Sequence, residues 1–143
     1  MIYDYYIAHP FESRQKTRKW QLKIEKKLNI KCFNAFYPVR FFEVYNKDDK
    51  SNKKYYKKIK NKYKQIVEED IDYIKKSKAV IVIIDGKISY GTIQEMVYAK
   101  LNNKKVYSII TNKQELHPWL VYHSDKIFTK YKHLEKYLIK CHI

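Results

Sequence analysis

The 143-residue chain is short of several residue types, and each shortage excludes a class of protein. Its two cysteines, Cys32 and Cys141, lie far apart and lack metal-ligand spacing, so we expect neither a structural disulfide nor a zinc site. No segment approaches the ~18 consecutive apolar residues of a membrane span, and the N-terminal "MIYDYYIAHPF" lacks the pattern of a targeting segment. We therefore expect a cytoplasmic protein without membrane association, and the sequence indicates no metal and no cofactor.

Arginine and acidic residues are scarce, whereas lysine is abundant. Lysine and arginine number 31 against 15 aspartates and glutamates, which gives a net charge of +16. A charge of this size attracts polyanions and phosphates. However, arginine, which contacts guanine through two hydrogen bonds, occurs only at Arg14, Arg18 and Arg40, and the lysines are spread along the whole chain. A nucleic-acid partner is therefore less favoured than a small-molecule ligand.

Strand and helix patterns alternate along the chain and, with 45% hydrophobic residues, predict a single folded domain. This domain is expected to span residues 1–143. β-Branched and aromatic runs predict five strands, at 2–8, 30–39, 79–85, 105–110 and 125–130. Apolar residues three or four apart predict helices at 13–28, 52–78, 92–102 and 133–140. The order is typical of an α/β, three-layer domain with a mainly parallel five-stranded sheet, flavodoxin-like or Rossmann-like, with right-handed crossovers and a loop at 40–50.

The loops beyond the carboxyl ends of the strands are the candidate ligand sites, because parallel sheets bind ligands there. The loop after the third strand, "DGKISYGTIQE", contains Gly91, which allows a close backbone approach, and Thr92, which can cap the next helix. Glu95 then falls in the first helical turn, where free N–H groups stabilise an ionised carboxylate. Such a carboxylate suits nucleophilic attack or stabilisation of a sugar cation. From spacing alone, "TIQE" favours a Thr-x-x-Glu capping box instead.

The loop after the first strand, "AHPFESR", offers further polar groups. Ser13 can cap the first helix, and together with Arg14 it forms a candidate anion site for a phosphate or a carboxylate. His9 is a candidate acid or base, although a lone histidine is more often structural. Asp70 lies late in the long predicted helix, close to the third strand, where it is either a site residue or one more solvated charge.

The segments "YIAHPFESRQ" and "GTIQEMVYA", with Asp70 between them, resemble the nucleoside 2-deoxyribosyltransferase family and its related 2′-deoxynucleoside 5′-monophosphate N-hydrolases. The second segment is similar to the motif that carries the family's glutamate. His9 replaces the usual glycine of the opening motif, and Lys78 stands where a second aspartate is usual. The resemblance spans residues 2–130. The residues shared with the opening motif are Tyr6, Ala8, Pro10, Phe11 and Arg14.

This resemblance implies an enzyme that cleaves, by hydrolysis or transfer, the N-glycosidic bond of a (deoxy)nucleoside or its 5′-monophosphate. Glu95 would be the nucleophile, Asp70 would orient the sugar or assist proton transfer to the base, and Tyr6 would position Glu95 or the sugar. Monophosphate hydrolases of this kind carry a serine six residues before the glutamate, and Ser89 together with the positive net charge favours a phosphorylated substrate. The other expected substrate-binding residues are Gly91, Arg14, His9 and Phe11.

The resemblance also implies a homodimer or a higher homo-oligomer, because a neighbouring subunit often completes the family's site. The segment "HPWLVYHSD", with Trp119, Ser124 and Asp125, is the expected contribution to a partner's pocket. Two other functions remain open. One is a TIR-type domain that cleaves NAD, which is also a small parallel α/β fold with a catalytic glutamate. The other is a non-catalytic nucleotide-binding or nucleic-acid-binding module that uses the lysine-rich helix at 53–64.

Overall fold

The computed structural model describes residues 1–37, 53–112 and 116–142, with the backbone alone for 53–59. Within these residues, five strands form one parallel sheet in the order β2-β1-β3-β4-β5. The strands are β1 Tyr3–Ala8, β2 Cys32–Asn34, β3 Ser77–Ile84, β4 Lys105–Ile110 and β5 Lys126–Phe128. The predicted α/β class with a five-stranded parallel sheet is confirmed.

Helices cover both faces of the sheet and complete the three layers. They are α1 Arg14–Leu28, α2 Lys53–Lys75, α3 Tyr90–Leu101, α4 Pro118–His123 and α5 Tyr131–Cys141. Side chains of α1 and α5 share one buried cluster with Ile81 and Ile83, whereas α2, α3 and α4 share the other with Val80 and Val82. Successive residues of β3 thus feed opposite clusters, because side chains of a strand alternate between its faces. This explains the unbroken apolar run at the centre of the sequence.

Two predicted strands are shorter than their sequence patterns suggested, and one helix was not predicted. The strand expected at 30–39 ends at Asn34, because the Phe36 N–H donates to Asn34 Oδ1 (3.0 Å) and the Tyr37 N–H donates to Asn34 O (3.3 Å), which turns the chain. The strand expected at 125–130 is confined to β5. The segment that precedes it forms the short helix α4, and the loop expected at 40–50 lies outside the described residues.

Lys78, which departs from the family's usual aspartate, lies at the amino edge of the sheet. Its Nζ donates to Asp4 Oδ1 (2.7 Å), while the Lys31 N–H donates to Asp4 Oδ2 (2.9 Å). Burial opposes ionisation of Asp4, but these donors hold the pKa of its carboxyl below the ordinary value. Asp4 therefore ties β1 to its two neighbours at the edge opposite to the strands' carboxyl ends. No helix in the described part of the chain is long and apolar enough to cross a membrane.

Candidate active site

A cavity of about 820 Å³ lies beside the carboxyl ends of β1 and β3, within the range typical of small-molecule sites. Four separate stretches of the chain form its wall: the loop after β1, the turn after β2, the second half of α2, and α3 with its cap residue. The described wall residues are His9, Phe11, Glu12, Phe36, Tyr63, Ile66, Val67, Asp70, Ile71, Ile74, Ser89, Tyr90, Gly91, Gln94, Glu95 and Tyr98. The apolar stripe predicted on the long helix thus faces this cavity along much of its length.

The structure brings most of the residues predicted from the sequence into this one wall. Of the eight candidates, two lie elsewhere: Tyr6 in the core and Arg14 behind the wall. Glu12 and Gln94 also line the cavity but were missed, although Glu12 directly follows a residue of the opening motif. The predicted residues in the wall are His9, Phe11, Asp70, Ser89, Gly91 and Glu95.

The start of α3 differs from the prediction in a way that affects Glu95. The cap is Ser89, whose Oγ accepts a hydrogen bond from the Thr92 N–H (3.2 Å) and lies 2.7 Å from Thr92 Oγ1. Thr92 is therefore the third helical residue, and the prediction that it caps the helix is wrong. Glu95 is the sixth residue and lies in the second turn, so the expected first-turn position and the Thr-x-x-Glu capping box are both wrong. The Glu95 carboxylate therefore does not belong to a capping box at the start of α3.

Gly91 gives that carboxylate room. A Cβ placed on Gly91 would lie 3.7 Å from Glu95 Oε1, so the half-buried Glu95 side chain extends back by one turn towards the start of α3. The backbone of Gly91 does not require glycine, because its φ is outside the left-handed region. Its missing side chain instead leaves open space beside the carboxylate in the cavity wall. The backbone conformation at this position therefore does not explain the glycine.

Two further predicted catalytic residues occupy different surroundings. Asp70 is half-buried on α2 and shares the cavity wall with Glu95, so two carboxylates from separate elements meet one space. Tyr6 is fully buried in the cluster that holds Ile74 and Met96, and its ring centroid lies 5.4 Å from that of Phe33. The structure places Tyr6 underneath the wall and Asp70 within it.

His9 is buried at 2% exposure, and both of its ring nitrogens meet acceptors of the protein. Nδ1 lies 2.9 Å from Pro10 O and Nε2 lies 3.0 Å from Asn34 Oδ1. Burial lowers the pKa of the imidazole, and the two hydrogen bonds oppose this only in part. The ring packs edge-on against Phe36, with centroids 5.0 Å apart. His9 therefore lines the cavity with both ring nitrogens close to acceptors of the protein itself.

Arg14 supports the wall from outside. Its Nη1 donates to Phe11 O (3.1 Å), and its guanidinium carbon lies 3.8 Å from the centroid of the Phe11 ring. Ser13 occupies the cap position of α1, but its hydroxyl donates to Pro10 O (3.1 Å) instead of capping the helix as predicted. The structure thus places Ser89 in the cavity wall without Arg14 beside it.

Asp85 holds the loop that leads from β3 to Ser89. Its carboxylate accepts hydrogen bonds from Lys16, from Thr111 Oγ1 (2.8 Å) and from the Tyr131 hydroxyl (3.5 Å). Burial favours the neutral acid, yet these donors keep the pKa of Asp85 below its ordinary value. The loop is therefore anchored to α1, to the end of β4 and to α5. Across residues 1–37, 53–112 and 116–142, no group of three or more His, Cys, Asp or Glu side chains could hold a metal ion.

A parallel sheet with carboxylates from two crossover segments facing one cavity defines an α/β domain built to bind a small molecule. The family model for nucleoside 2-deoxyribosyltransferase matches residues 5–136, which is most of the chain. The chain therefore belongs to the nucleoside 2-deoxyribosyltransferase family, and the resemblance inferred from its motifs is confirmed. Membership makes it an enzyme that acts on nucleosides or nucleotides.

Solved structures resemble the chain in fold. A 2-deoxyribosyltransferase from Bacillus psychrosaccharolyticus superposes with a TM-score of 0.68 at 17% identity, over 93% of this chain and 90% of that chain. A CMP N-glycosidase from Clostridium botulinum gives 0.58 at 19% identity, over 94% and 95%. The TIR domain of a Toll-related receptor from Hydra magnipapillata gives 0.63 at 14% identity, over 97% and 94%. No curated protein sequence matches the chain significantly.

Proposed function

We propose that the protein cleaves the N-glycosidic bond of a (deoxy)nucleoside or its 5′-monophosphate, with Glu95 as the nucleophile. The observation that carries this proposal is the convergence of Glu95, Asp70 and Ser89 on one cavity, although they come from distant parts of the chain. Family membership supports the class of reaction. The space beside Gly91 supports the choice of carboxylate, because a sugar can approach Glu95 there.

The reaction requires two displacements at the anomeric carbon. A carboxylate oxygen of Glu95 forms a bond to C1′ while the C1′–N bond breaks, and the electron pair goes to the departing base, which takes up a proton. The resulting glycosyl ester then reacts with the nitrogen of a second base, which is transfer, or with water, which is hydrolysis. Either step restores the Glu95 carboxylate. Asp70 orients the sugar or assists the proton transfer to the base.

The cavity favours this chemistry because its anions are held in place. The transition state resembles an oxocarbenium ion, so a fixed carboxylate next to the ring stabilises it more than it stabilises the neutral ground state. Tyr6 does not line the cavity itself; it lies in the core beneath the wall, in the same cluster as Met96, the neighbour of Glu95. Phe11 and His9 supply flat surfaces that suit a nucleobase.

Ser89 is the proposed contact for the 5′ group of the substrate. It caps α3, and the N–H groups and the positive dipole end of that helix favour an anion such as a phosphate. The fold likeness to a CMP N-glycosidase is consistent with a nucleotide substrate. Arg14 lies behind Phe11, so it acts on a phosphate only through long-range attraction unless the wall rearranges.

A homodimer is the proposed assembly. Trp119 and Tyr122 on α4 are exposed at 62% and 79%, and Tyr98 on α3 is both exposed and part of the cavity wall. Ser124 and Asp125 are engaged within their own chain, because the Ser124 hydroxyl donates to Leu120 O (2.7 Å) and Asp125 Oδ2 accepts from the Val106 N–H (2.8 Å). Of the three residues predicted for a partner's pocket, Trp119 is therefore the best suited.

The decisive experiment is incubation with a panel of nucleosides, deoxynucleosides and their 5′-monophosphates, followed by chromatography for free base. Glu95→Gln should lower the rate by at least ~10³-fold, because the neutral amide cannot attack C1′. Asp70→Asn should slow it as well. Glu68→Gln is the matched control, since Glu68 is exposed on α2 and pairs only with Lys64 (3.9 Å) in the described structure.

Three outcomes separate the competing functions. Base release that survives Glu95→Gln would rule out the proposed nucleophile. Nicotinamide release from added NAD, without base release from nucleosides, would indicate the TIR-type activity. Tight salt-sensitive binding of duplex DNA, unaffected by Glu95→Gln and Asp70→Asn, would favour the binding module, whose lysine-rich helix at 53–64 has described side chains only from residue 60 onwards.

A further inference from the structure

A buried chain of polar side chains lies behind the cavity wall, on the side of α1. Glu25 Oε1 accepts hydrogen bonds from Gln21 Nε2 (3.0 Å) and from the Cys32 N–H (3.0 Å). Gln21 Oε1 in turn accepts from Asn34 Nδ2 (2.9 Å). Gln21 and Asn34 are buried at 0% and 4% exposure. The chain thus begins at a carboxylate and leads to the turn after β2.

The direction of every hydrogen bond in this chain is determined by its ends. The Glu25 carboxylate only accepts, so the NH₂ group of Gln21 must face it, and the Gln21 oxygen must face Asn34. The Asn34 amide oxygen then points the other way, where it accepts from the Phe36 N–H (3.0 Å) and lies 3.0 Å from His9 Nε2. Asn34 therefore holds two wall residues with one atom.

We propose that Asn34 is a positioning residue of the site, which sets the His9 ring and the Phe36 main chain in the wall that faces the substrate. The proposal rests on the proposed function insofar as the wall meets a nucleoside or nucleotide. Asn34 itself lies outside the described cavity wall, so it acts through its neighbours. Gln21 and Glu25 contribute by preventing its amide from turning over.

The wall responds to Asn34 because its aromatic rings contact one another in sequence. The His9 and Phe36 ring centroids are 5.0 Å apart, and those of Phe36 and Phe11 are 5.3 Å apart. Loss of the Asn34 oxygen leaves the half-buried Phe36 N–H and the buried Nε2 of His9 without their acceptor, which costs free energy. The rings then shift together, and the pocket loses part of its complementarity to the ligand.

The same oxygen also controls the ionisation of His9. With Asn34 Oδ1 on one side and Pro10 O on the other, a neutral imidazole can donate to only one of its two acceptors. Replacing Asn34 by Ala removes one acceptor and should lower the pKa of His9 further, whereas Asp adds a charge and should raise it. The other ionisable groups that face the cavity are Glu12, Asp70, Tyr63, Glu95, Tyr90 and Tyr98.

The first test follows the His9 ring by NMR and needs no substrate. His9 is assigned by its absence from the spectrum of His9→Asn, and its pKa is measured in wild type, Asn34→Asp and Asn34→Ala. We expect the pKa of His9 to be highest in Asn34→Asp, intermediate in wild type and lowest in Asn34→Ala. In wild type, we also expect the ring N–H of His9 to be protected from exchange with solvent. Asn103→Asp, an exposed site on the turn after α3, is the control for added charge and should leave the titration unchanged.

The second test measures ligand binding with 2′-deoxycytidine and its 5′-monophosphate as probes. Asn34→Ala should raise KM, or the calorimetric Kd if neither probe is cleaved, by about tenfold, while kcat changes less than twofold, because the wall contacts ground and transition states alike. The proposal is overturned if His9 has the same pKa in all variants, or if its ring N–H exchanges freely with solvent in wild type. So does a lower unfolding temperature with KM and Kd unchanged. Failure of the proposed function would show instead as absent base release from a wild-type protein whose His9 titrates as expected.

Discussion

The two glycines of the chain provide a matched pair of substitutions with opposite expected effects on stability. In Gly91→Ala the new methyl group meets only Glu95 Oε1, at the ordinary contact distance of 3.7 Å, in a helical backbone. Alanine is favoured over glycine in helices by up to ~1 kcal/mol, and at this early position we expect about 0.5 kcal/mol of stabilisation. In Gly86→Ala the φ of +101° is one that alanine rarely adopts, so we expect a loss of about 1–2 kcal/mol although no atom lies within 4 Å.

Thermal unfolding measures both changes. For a domain of this size, 1 kcal/mol corresponds to about 3 °C in Tm, so Gly91→Ala should raise Tm by about 1–2 °C and Gly86→Ala should lower it by about 3–6 °C. Urea titration checks that the unfolding free energy falls with urea concentration at the same slope in wild type and both variants. An equal slope shows that the same amount of surface is exposed on unfolding.

The activities should follow the opposite order. The methyl group of Gly91→Ala occupies the space beside the Glu95 carboxylate, so kcat/KM for the substrate identified in the panel should fall by about tenfold or more. Gly86→Ala, assayed well below its Tm, should retain most of its activity. A Gly91→Ala protein with full activity would refute the inference that substrate uses this space. A Gly91→Ala protein less stable than wild type would refute the inference that the backbone at this position does not require glycine.

Three other predictions concern ionisation, packing and assembly. The pKa of Asp85 is lowered in the folded state, so the stabilisation by its carboxylate is present above about pH 4 and is lost as the pH falls below that value. Asp85→Asn should therefore lower the free energy of unfolding by about 1 kcal/mol at pH 7, after allowance for solvent screening. In urea titrations the difference from wild type should vanish near pH 2. The buried Lys104 donates to the last turn of α2 (3.0 Å), so Lys104→Met should cost about 1–2 kcal/mol in urea titrations, whereas the exposed Lys19→Met should cost less than about 0.5 kcal/mol. Sedimentation should show a homodimer that Trp119→Ser with Tyr122→Ser dissociates; an unchanged mass would place the interface elsewhere.

The order of strands and helices was accessible from the sequence, because hydrophobic periodicity is a local property of the chain. The run "KVYSII" predicted β4 with the bounds that the structure shows, and the unbroken apolar run predicted the central strand β3. Parallel order then placed the loops after β1 and β3 at the same edge of the sheet. Five candidate residues that follow these two strands, His9, Phe11, Ser89, Gly91 and Glu95, consequently meet in one cavity, and Asp70 joins them from α2. Their roles in a reaction stay predictions.

The errors came from features that depend on a single hydrogen bond. Ser89 and Thr92 can each cap a helix. Which of them begins α3 is decided by which hydroxyl accepts a hydrogen bond from a backbone N–H of the first turn. β2 ends early because the side chain of Asn34 accepts the N–H of Phe36, which the apolar composition of that segment does not reveal. Patterns of hydrophobicity describe average surroundings and therefore do not resolve such choices.

The sequence by itself determined the class of fold, the family motifs and the edge of the sheet at which the site lies, since these follow from the period and order of residues. Only the tertiary structure decided that the Glu95 side chain extends over Gly91 and that both nitrogens of His9 meet acceptors. It also decided that Asn34 stands behind the wall. The physical reason is that these arrangements join groups up to 25 positions apart, such as His9 and Asn34, and their energies depend on distances that form only when the chain is packed.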